Sequence, residues 1–205
     1  MTGIQVVATD LSKVYAGQTI VNPFSFNFFP GSVTGVSGPN GSGKSTLIRM
    51  LCGFLTPSSG SISYQLSHQL IERKEIYQYV ALAAPYSMLI KDFDLEENYL
   101  LFRKFKAGSE NLNYKGLLEL LEWKNPGQKV VGQYSSGMQQ KVNLLFAMLS
   151  GCPLLLLDEP TSYLDESNKE WYHKQAERFF RDKTVIIASN DDKDFIEAGN
   201  IIKLV

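Results

Sequence analysis

The chain has 205 residues, of which 44% are hydrophobic and 20% are charged, so its composition is that of a globular protein and excludes disordered and fibrous classes. The formal net charge of -1 argues against binding of nucleic acid by bulk electrostatics, and no nucleic-acid partner is expected. The longest strongly apolar stretch, residues 144–149, is far shorter than the ~18 residues of a membrane span, and the N-terminus lacks a signal-peptide pattern, which predicts a soluble intracellular protein.

Short β-rich runs recur along the chain and predict strands. The runs beginning at Val33, Leu154 and Thr184 are apolar without alternation, as expected for parallel strands that are covered on both faces. The run 24–29 alternates instead, which favours an antiparallel strand with one face in water. The full set of predicted strands is 4–8, 24–29, 33–36, 61–64, 79–83, 154–157, 184–188 and 201–205.

Helical patterns lie between these runs, at residues 44–55, 95–106, 114–124, 137–149 and 165–181. From about residue 85 to residue 151 the patterns are helical only. We therefore expect one α/β domain over 1–205, in which a helical subdomain (85–151) is inserted into a core with a β subdomain (1–84 and 152–205).

A glycine-rich segment follows the predicted strand 33–36 and opens the predicted helix 44–55. It satisfies the pattern GxxxxGK[ST] of a P-loop and reads Gly38-Pro39-Asn40-Gly41-Ser42-Gly43-Lys44-Ser45-Thr46. Its glycines let backbone N–H groups point at a β-phosphate, and the helix start adds its positive dipole end. Lys44 is expected to bridge the β- and γ-phosphates, and the Ser45 hydroxyl to bind Mg²⁺. The strand–loop–helix context excludes the alternative, a solvated glycine-rich turn.

The apolar run 154–157 ends in two acids, Asp158 and Glu159. In open α/β sheets, ligands bind at the carboxyl ends of the strands. Asp158 is expected to hold Mg²⁺ through its water shell, and Glu159 to polarise the attacking water. Taken alone, the same pattern could be a strand that runs into a charged turn, but a P-loop in the same chain favours the catalytic interpretation.

The segment Tyr134-Ser135-Ser136-Gly137-Met138-Gln139-Gln140-Lys141 resembles the signature motif of the ABC ATPase family, whose usual form is LSGGQ. The order of P-loop, signature, acidic strand and then Ser162-Tyr163-Leu164-Asp165 is also the order of that family. The resemblance covers essentially the whole chain. It implies a P-loop NTPase core with a mostly parallel sheet, an antiparallel β subdomain at the N-terminus and an inserted helical subdomain.

The resemblance also implies a function. We expect an ATP-binding and ATP-hydrolysing subunit that powers a separate transmembrane permease from the cytoplasmic face of the membrane. In the ATP-bound homodimer of the family, the helix start at Ser135 and Gly137 faces the γ-phosphate held by the second subunit. Asp165 belongs to the segment Ser162-Tyr163-Leu164-Asp165, which resembles the D-loop of the family. Tyr15 lies where the family places an aromatic ring that stacks on adenine, with simple packing as the alternative. The form Tyr-Ser-x-Gly-Met is similar to export-type subunits.

Two positions depart from the family pattern. Where the family has a switch histidine after the strand 184–188, this chain has Asn190, which can donate a hydrogen bond to a γ-phosphate oxygen but carries no charge. The family's loop glutamine is missing from Ala84-Pro85-Tyr86. Because Glu159 is retained, the sequence predicts that the protein hydrolyses ATP. Because of the two departures, the predicted rate is slow. The alternatives are a degenerate cassette that binds ATP mainly for assembly or regulation, and an ABC protein without a transport role.

An unusually apolar segment follows this loop. It comprises residues 86–90 together with Tyr99, Phe102 and Phe105. These side chains either pack within the helical subdomain or form a groove for a short helix of the transmembrane subunit.

Overall fold

A computed structural model of the chain describes residues 3–85, 89–106, 111–124 and 129–204. The strands are β1 (Gln5–Tyr15), β2 (Gln18–Phe28), β3 (Val33–Ser37), β4 (Ser59–Leu66), β5 (Gln69–Ile71), β6 (Val80–Ala83), β7 (Leu154–Asp158), β8 (Thr184–Ser189) and β9 (Asn200–Lys203). The α-helices are α1 (Lys44–Leu51), α2 (Leu95–Phe105), α3 (Tyr114–Leu121), α4 (Ser136–Leu149) and α5 (Glu166–Phe179), and short 3-10 turns span Arg73–Gln78, Val131–Gln133 and Asp192–Phe195.

The larger of the two sheets has five strands in the order β6-β7-β8-β3-β9, and all its neighbouring strands are parallel. Asp158 lies opposite Ala188, and Ser37 lies opposite Ser189. Because parallel strands end at the same edge, the loops that follow β3, β7 and β8 leave the sheet side by side. These are the loops that carry the P-loop, Glu159 and Asn190.

The side chains of β7 explain why its sequence does not alternate. Leu155 and Leu157 belong to one apolar cluster with α4 and α5, whereas Leu154 and Leu156 belong to a second cluster with α1 and the antiparallel sheet. All five residues of β7 are buried. The strand is therefore covered on both faces, as its unbroken apolar run predicts.

The four-stranded antiparallel sheet has the order β2-β1-β4-β5. It contains one strand that the sequence does not predict, β5, which pairs with β4 through the hairpin turn at Ser67 and His68. Both turn residues have positive φ, 48° and 69°. Hairpin turns of this kind are usually announced by Asn-Gly or Asp-Gly, and Ser-His is not such a signal.

Two predicted helices extend three or four residues past the observed ends. Helix α1 ends at Leu51 instead of residue 55, because Gly53 takes φ 81° and turns the chain back so that its N–H donates to the Met50 carbonyl at 3.1 Å. Helix α3 ends at Leu121 instead of residue 124, because Glu122 takes φ 57°. Left-handed residues end a helix, and for Glu122 no glycine marks the position.

The fold predicted from the sequence is confirmed: a parallel sheet, an antiparallel sheet and helices in the P-loop arrangement. Between residues 85 and 151, the described part of the chain has helices and no strand. The subdomain boundaries at residues 84 and 152 stay a prediction. In the ranges described, no helix has both the length and the apolar composition needed to cross a membrane.

The apolar segment of the inserted helices divides into two kinds of side chain. Tyr99 is buried and Phe102 half-buried, and their rings lie 5.3 Å and 5.4 Å from that of Phe146 in α4. Packing is therefore what the structure shows for these two. Phe105 is 75% exposed. The predicted groove residues Tyr86, Ser87 and Met88 lie outside the described residues.

Candidate active site

The P-loop curls around the start of α1. Gly41 and Gly43 have φ 86° and 92°, and a Cβ at Gly43 would lie 2.4 Å from the Ile20 carbonyl oxygen, so a larger residue does not fit there. Gly43 caps α1 without a side-chain hydrogen bond. The first N–H groups of this helix are thus left for a ligand. The buried hydroxyl of Ser42 also lacks a hydrogen-bond partner in the described structure.

Lys44 lies inside this loop and is 5% exposed. Its Nζ donates to the carbonyl oxygens of Gly38 at 2.8 Å and Pro39 at 3.2 Å, and lies 3.3 Å from Glu159 Oε1. A buried ammonium needs such partners. The phosphate-binding cation and the predicted base are therefore in direct contact before any nucleotide is bound.

The two predicted metal ligands also meet. The Ser45 hydroxyl donates to Asp158 Oδ1 at 3.0 Å. Burial raises the pKa of the Asp158 carboxyl, and the hydrogen bond from Ser45 opposes that shift. Hydroxyl and carboxylate oxygens are ligands that Mg²⁺ accepts, and Mg²⁺ commonly takes only one or two from protein and the rest from phosphate and water. The pair fits Mg²⁺, and no cluster of three or more His, Cys, Asp or Glu side chains suited to a metal occurs in the described ranges.

Glu159 is held from two sides. Its backbone takes φ 48°, and its N–H donates to the Ala188 carbonyl oxygen at 2.7 Å. Besides the contact with Lys44, its carboxylate accepts from the Ser189 hydroxyl at 3.2 Å and from the Asn190 N–H at 3.4 Å, both through Oε2. The base is thus fixed between the P-loop and the end of β8.

Asn190 reaches across to the P-loop. Its side-chain Nδ2 donates to Asn40 Oδ1 at 3.0 Å. Both residues line an open cavity of about 730 Å³, together with Ile20, Gly41, Gly43, Lys44, Ser45, Thr46, Pro85, Glu159, Ser162 and Tyr163. The volume is typical of a small-molecule site. Most of the predicted P-loop, base and switch residues therefore face one cavity.

The predicted signature residues do not line this cavity. The Ser135 side chain caps α4 by accepting from the Met138 N–H at 3.2 Å, and Ser135 is exposed. Gly137 packs closely on the D-loop, because a Cβ there would lie 2.9 Å from the Tyr163 carbonyl oxygen. Within one chain, the helix start that the family turns toward a γ-phosphate does not reach the P-loop.

Asp165 and Tyr15 likewise lie outside the set of residues that line the cavity. Asp165 caps α5, and the hydrogen bonds from the Asn168 N–H and the Ser167 hydroxyl, both 2.9 Å, hold the pKa of its carboxyl below the usual value. The Tyr15 ring ends β1, is 47% exposed and lies 4.9 Å from Lys13 Nζ. The adenine contact of Tyr15 stays a prediction.

Three residues beside Glu159 were not predicted from the sequence. Asp194 is 2% exposed and accepts from the hydroxyls of Thr161 at 2.6 Å and Ser189 at 2.5 Å. Ser189 could have been anticipated, since it ends a strand whose loop carries a predicted site residue. Asp194 lies in a charged run that has no motif.

Residues 21–162 match the sequence model of the ABC transporter family. The cytochrome c biogenesis ATP-binding export protein CcmA of Brucella abortus is 29% identical over 186 residues, which cover 91% of this chain and 85% of the relative. The bacitracin transport ATP-binding protein BcrA of Bacillus licheniformis is 31% identical over 189 residues, covering 90% of this chain and 61% of the relative.

Among solved structures, a dimeric ATP-binding cassette in a post-hydrolysis state with ADP and Pi has a TM-score of 0.80 at 21% identity, covering 97% of this chain and 94% of that one. At this identity the likeness is one of fold. Together the comparisons confirm the predicted resemblance, and with it the class of an ABC-type ATPase. The chain belongs to the ABC transporter family.

Proposed function

We propose that this ABC-type ATPase is the ATP-hydrolysing subunit of a transport system and powers a transmembrane permease carried on a separate chain. One observation carries the proposal: Lys44, the Ser45–Asp158 pair and Glu159 meet at the carboxyl edge of one parallel sheet, beside an open cavity. The names of the relatives, which are ATP-binding proteins of export or transport systems, support the transport role.

The P-loop supplies nucleotide binding. Lys44 would exchange its bonds to the Gly38 and Pro39 carbonyl oxygens for β- and γ-phosphate oxygens, which are stronger acceptors. The uncapped N–H groups of α1 and the unpartnered Ser42 hydroxyl offer further donors. Tyr15 would stack on the adenine. The loop is therefore suited to ATP, with Ser45 and Asp158 holding Mg²⁺.

Glu159 supplies the chemistry. Its carboxylate accepts a proton from the attacking water while the water oxygen bonds to the γ-phosphorus and the bond to the ADP oxygen breaks. Ser45 and Asp158 would hold Mg²⁺, which would supply charge neutralisation at the phosphate groups. Asn190 donates a neutral hydrogen bond to the γ-phosphate from its position opposite Asn40. Because an amide adds no positive charge to the transition state, we expect slow turnover.

The signature implies a second copy of the chain. Ser135 and Gly137 lie outside the cavity of their own chain, so their phosphate would be the one held by a partner subunit. Asp165, which follows Tyr163 by two positions in the same D-loop, would lie at the same interface. We therefore propose an ATP-bound homodimer at the cytoplasmic face of the membrane.

The permease would dock where the end of α2 meets the turn before β6. Phe105 and Tyr77 are exposed by 75% and 63%. Lys106, next to Phe105, donates through Nζ to the carbonyl oxygens of Tyr77 and Val80, at 2.9 Å and 2.7 Å. This contact ties the end of α2 to the edge strand β6, so a force on the exposed rings would reach the sheet that carries the site.

Steady-state phosphate release tests the proposal. The wild type should hydrolyse ATP slowly, and Glu159→Gln should bind ATP without turnover. Glu177→Gln, the same chemical change at an exposed position of α5, is the matched control and should keep the wild-type rate. A wild type that binds ATP and releases no phosphate would instead favour the degenerate cassette, which the Asn190 and loop-glutamine departures motivate.

A further inference from the structure

We infer that Asp194 is a positioning residue for ATP hydrolysis: it fixes Glu159 by accepting hydrogen bonds from Ser189, which contacts the Glu159 carboxylate, and from Thr161, which follows Glu159 by two positions. The inference rests on the proposed function, because it takes Glu159 to be the base. Asp194 itself touches neither the cavity nor any predicted nucleotide contact.

The burial of Asp194 needs an explanation. It lies in the turn Asp192–Phe195 and is 2% exposed, and burial raises the pKa of its carboxyl. Among the described residues it has no ion pair with a lysine or arginine. Its hydrogen-bond donors are the two hydroxyls, on Oδ1 from Thr161 and on Oδ2 from Ser189. Burying a carboxylate without an ion-pair partner costs free energy. We therefore assign Asp194 the role of fixing the two hydroxyls.

The two hydroxyls flank the proposed base. Thr161 follows Glu159 by two positions in the chain, and the Ser189 Oγ lies 3.2 Å from Glu159 Oε2. Thr161 is 3% exposed and Ser189 is fully buried. Asp194 therefore connects the loop that carries Glu159 with the strand end that touches its carboxylate.

Glu159 also has a backbone that must be held. Its φ of 48° is unfavourable for a residue with a side chain, and such residues persist only where their surroundings fix them. One restraint is the bond from its N–H to Ala188, the residue before Ser189. Both the backbone and the carboxylate of Glu159 thus rest on the end of β8. Displacement of that strand end would move the base.

The substitution Asp194→Asn changes the hydrogen bonding at Ser189 and Thr161 and leaves the shape of the side chain nearly unchanged. Ser189 has one hydroxyl proton, and its oxygen also accepts from the Asp191 N–H at 3.0 Å. The Ser189 Oγ lies 2.5 Å from Asp194 Oδ2 and 3.2 Å from Glu159 Oε2, so the two carboxylates share its one proton. An amide has one oxygen where the carboxylate has two, so in Asp194→Asn one of the two hydroxyls faces an N–H donor in place of an acceptor, however the amide is turned.

The test measures kcat, the KM for ATP and the melting temperature for Asp194→Asn, Ser189→Ala and the double variant. We expect each single variant to lower kcat about tenfold or more, because small misplacements of reacting groups cost up to about 10²-fold. The KM should stay within about threefold of wild type. In the double variant the losses should not multiply, since both residues act through one contact.

A matched control separates positioning from stability. Thr184 begins the strand that Ser189 ends, and its buried hydroxyl donates to the Ile4 carbonyl oxygen at 2.6 Å. Thr184→Val should lower the melting temperature and keep kcat. If it lowers kcat as much as Asp194→Asn at a similar melting temperature, Asp194 has only a structural role and the inference is overturned.

Thr161 keeps the inference testable if Asp194→Asn does not fold. Thr161→Val removes the hydroxyl at nearly constant shape and should lower kcat, while Thr161→Ser retains it and should recover most of the loss. Equal kcat in the two variants would overturn the inference. If the wild type hydrolyses ATP, Glu159→Gln does not, and Asp194→Asn matches the wild type, the inference alone fails. An inactive wild type would overturn the proposed function and the inference together.

Discussion

Helices α1 and α4 both begin at residues that the family turns toward phosphate, and their first turns are built differently. Helix α1 is capped by Gly43, which offers no side chain, so its N–H groups face the cavity without a partner of their own. Helix α4 is capped by the Ser135 side chain, which occupies the Met138 N–H, and its start is exposed outside that cavity.

Because of this difference, one chain supplies a complete phosphate site at the start of α1 and an incomplete one at the start of α4. Around α1 the chain also supplies a cation, a metal-ligand pair and a base: Lys44, Ser45 with Asp158, and Glu159. At the start of α4 it supplies N–H groups and the exposed Ser135, and neither Ser135 nor Gly137 lines the cavity at α1. A helix start of this kind attracts an anion without holding it alone. We therefore expect α1 to bind nucleotide in the monomer and α4 to contribute only across a dimer interface.

The largest effect is expected for Glu159→Gln, which removes the base and leaves the binding groups. Turnover should fall by about 10²-fold or more. With hydrolysis blocked, ATP should persist between two copies, so gel filtration should show a dimer with ATP and a monomer with ADP. A monomer with both nucleotides would contradict a role for α4 across an interface.

Lys44→Ala tests the self-sufficiency of the α1 site. The change deletes a buried cation that faces the predicted phosphates, and charge-assisted contacts are worth about 1.5–3 kcal/mol, so the Kd for ATP should rise about 10- to 150-fold. Isothermal titration of the monomer measures it, with Lys104→Ala, an exposed change on α2, as the control. An unchanged Kd would mean that the loop does not bind phosphate.

Asn190→His should raise turnover about tenfold, which corresponds to ~1.4 kcal/mol of barrier. A histidine can carry positive charge toward the γ-phosphate, where charge develops most in the transition state, so the gain should appear in kcat and leave the ATP affinity similar. Phosphate release by wild type, Asn190→His and Asn190→Ala decides it. If Asn190→His gains nothing and Asn190→Ala matches the wild type, the position has no role in hydrolysis.

Ser135→Ala should have the smallest effect of the four. It removes the cap of α4, which costs about 1 kcal/mol and lowers the melting temperature by about 2–4 °C in a chain of this size. Helix α1 has no corresponding side-chain cap to lose. Thermal unfolding without nucleotide measures the shift, and Ser135→Thr, which keeps a capping hydroxyl, should restore most of it.

Features that depend on local chemistry could be predicted from the sequence. The glycines and Lys44 of the P-loop, the apolar strands β3, β7 and β8 and the acids after β7 are all encoded by neighbouring residues. Parallel strands end at one edge, so the common location of their loops also follows from the pattern. The family motif then supplied the roles of residues for which spacing alone leaves alternatives open.

Other features arise only when distant parts of the chain meet. The Lys44–Glu159 ion pair, the Asn190–Asn40 hydrogen bond and the contact of Asp194 with Thr161 join residues with no shared pattern in the sequence. The ends of α1 and α3 and the hairpin before β5 depended on left-handed residues, most of which are not glycine. Packing energies from the whole fold hold such conformations in place, and local propensity does not contain that information.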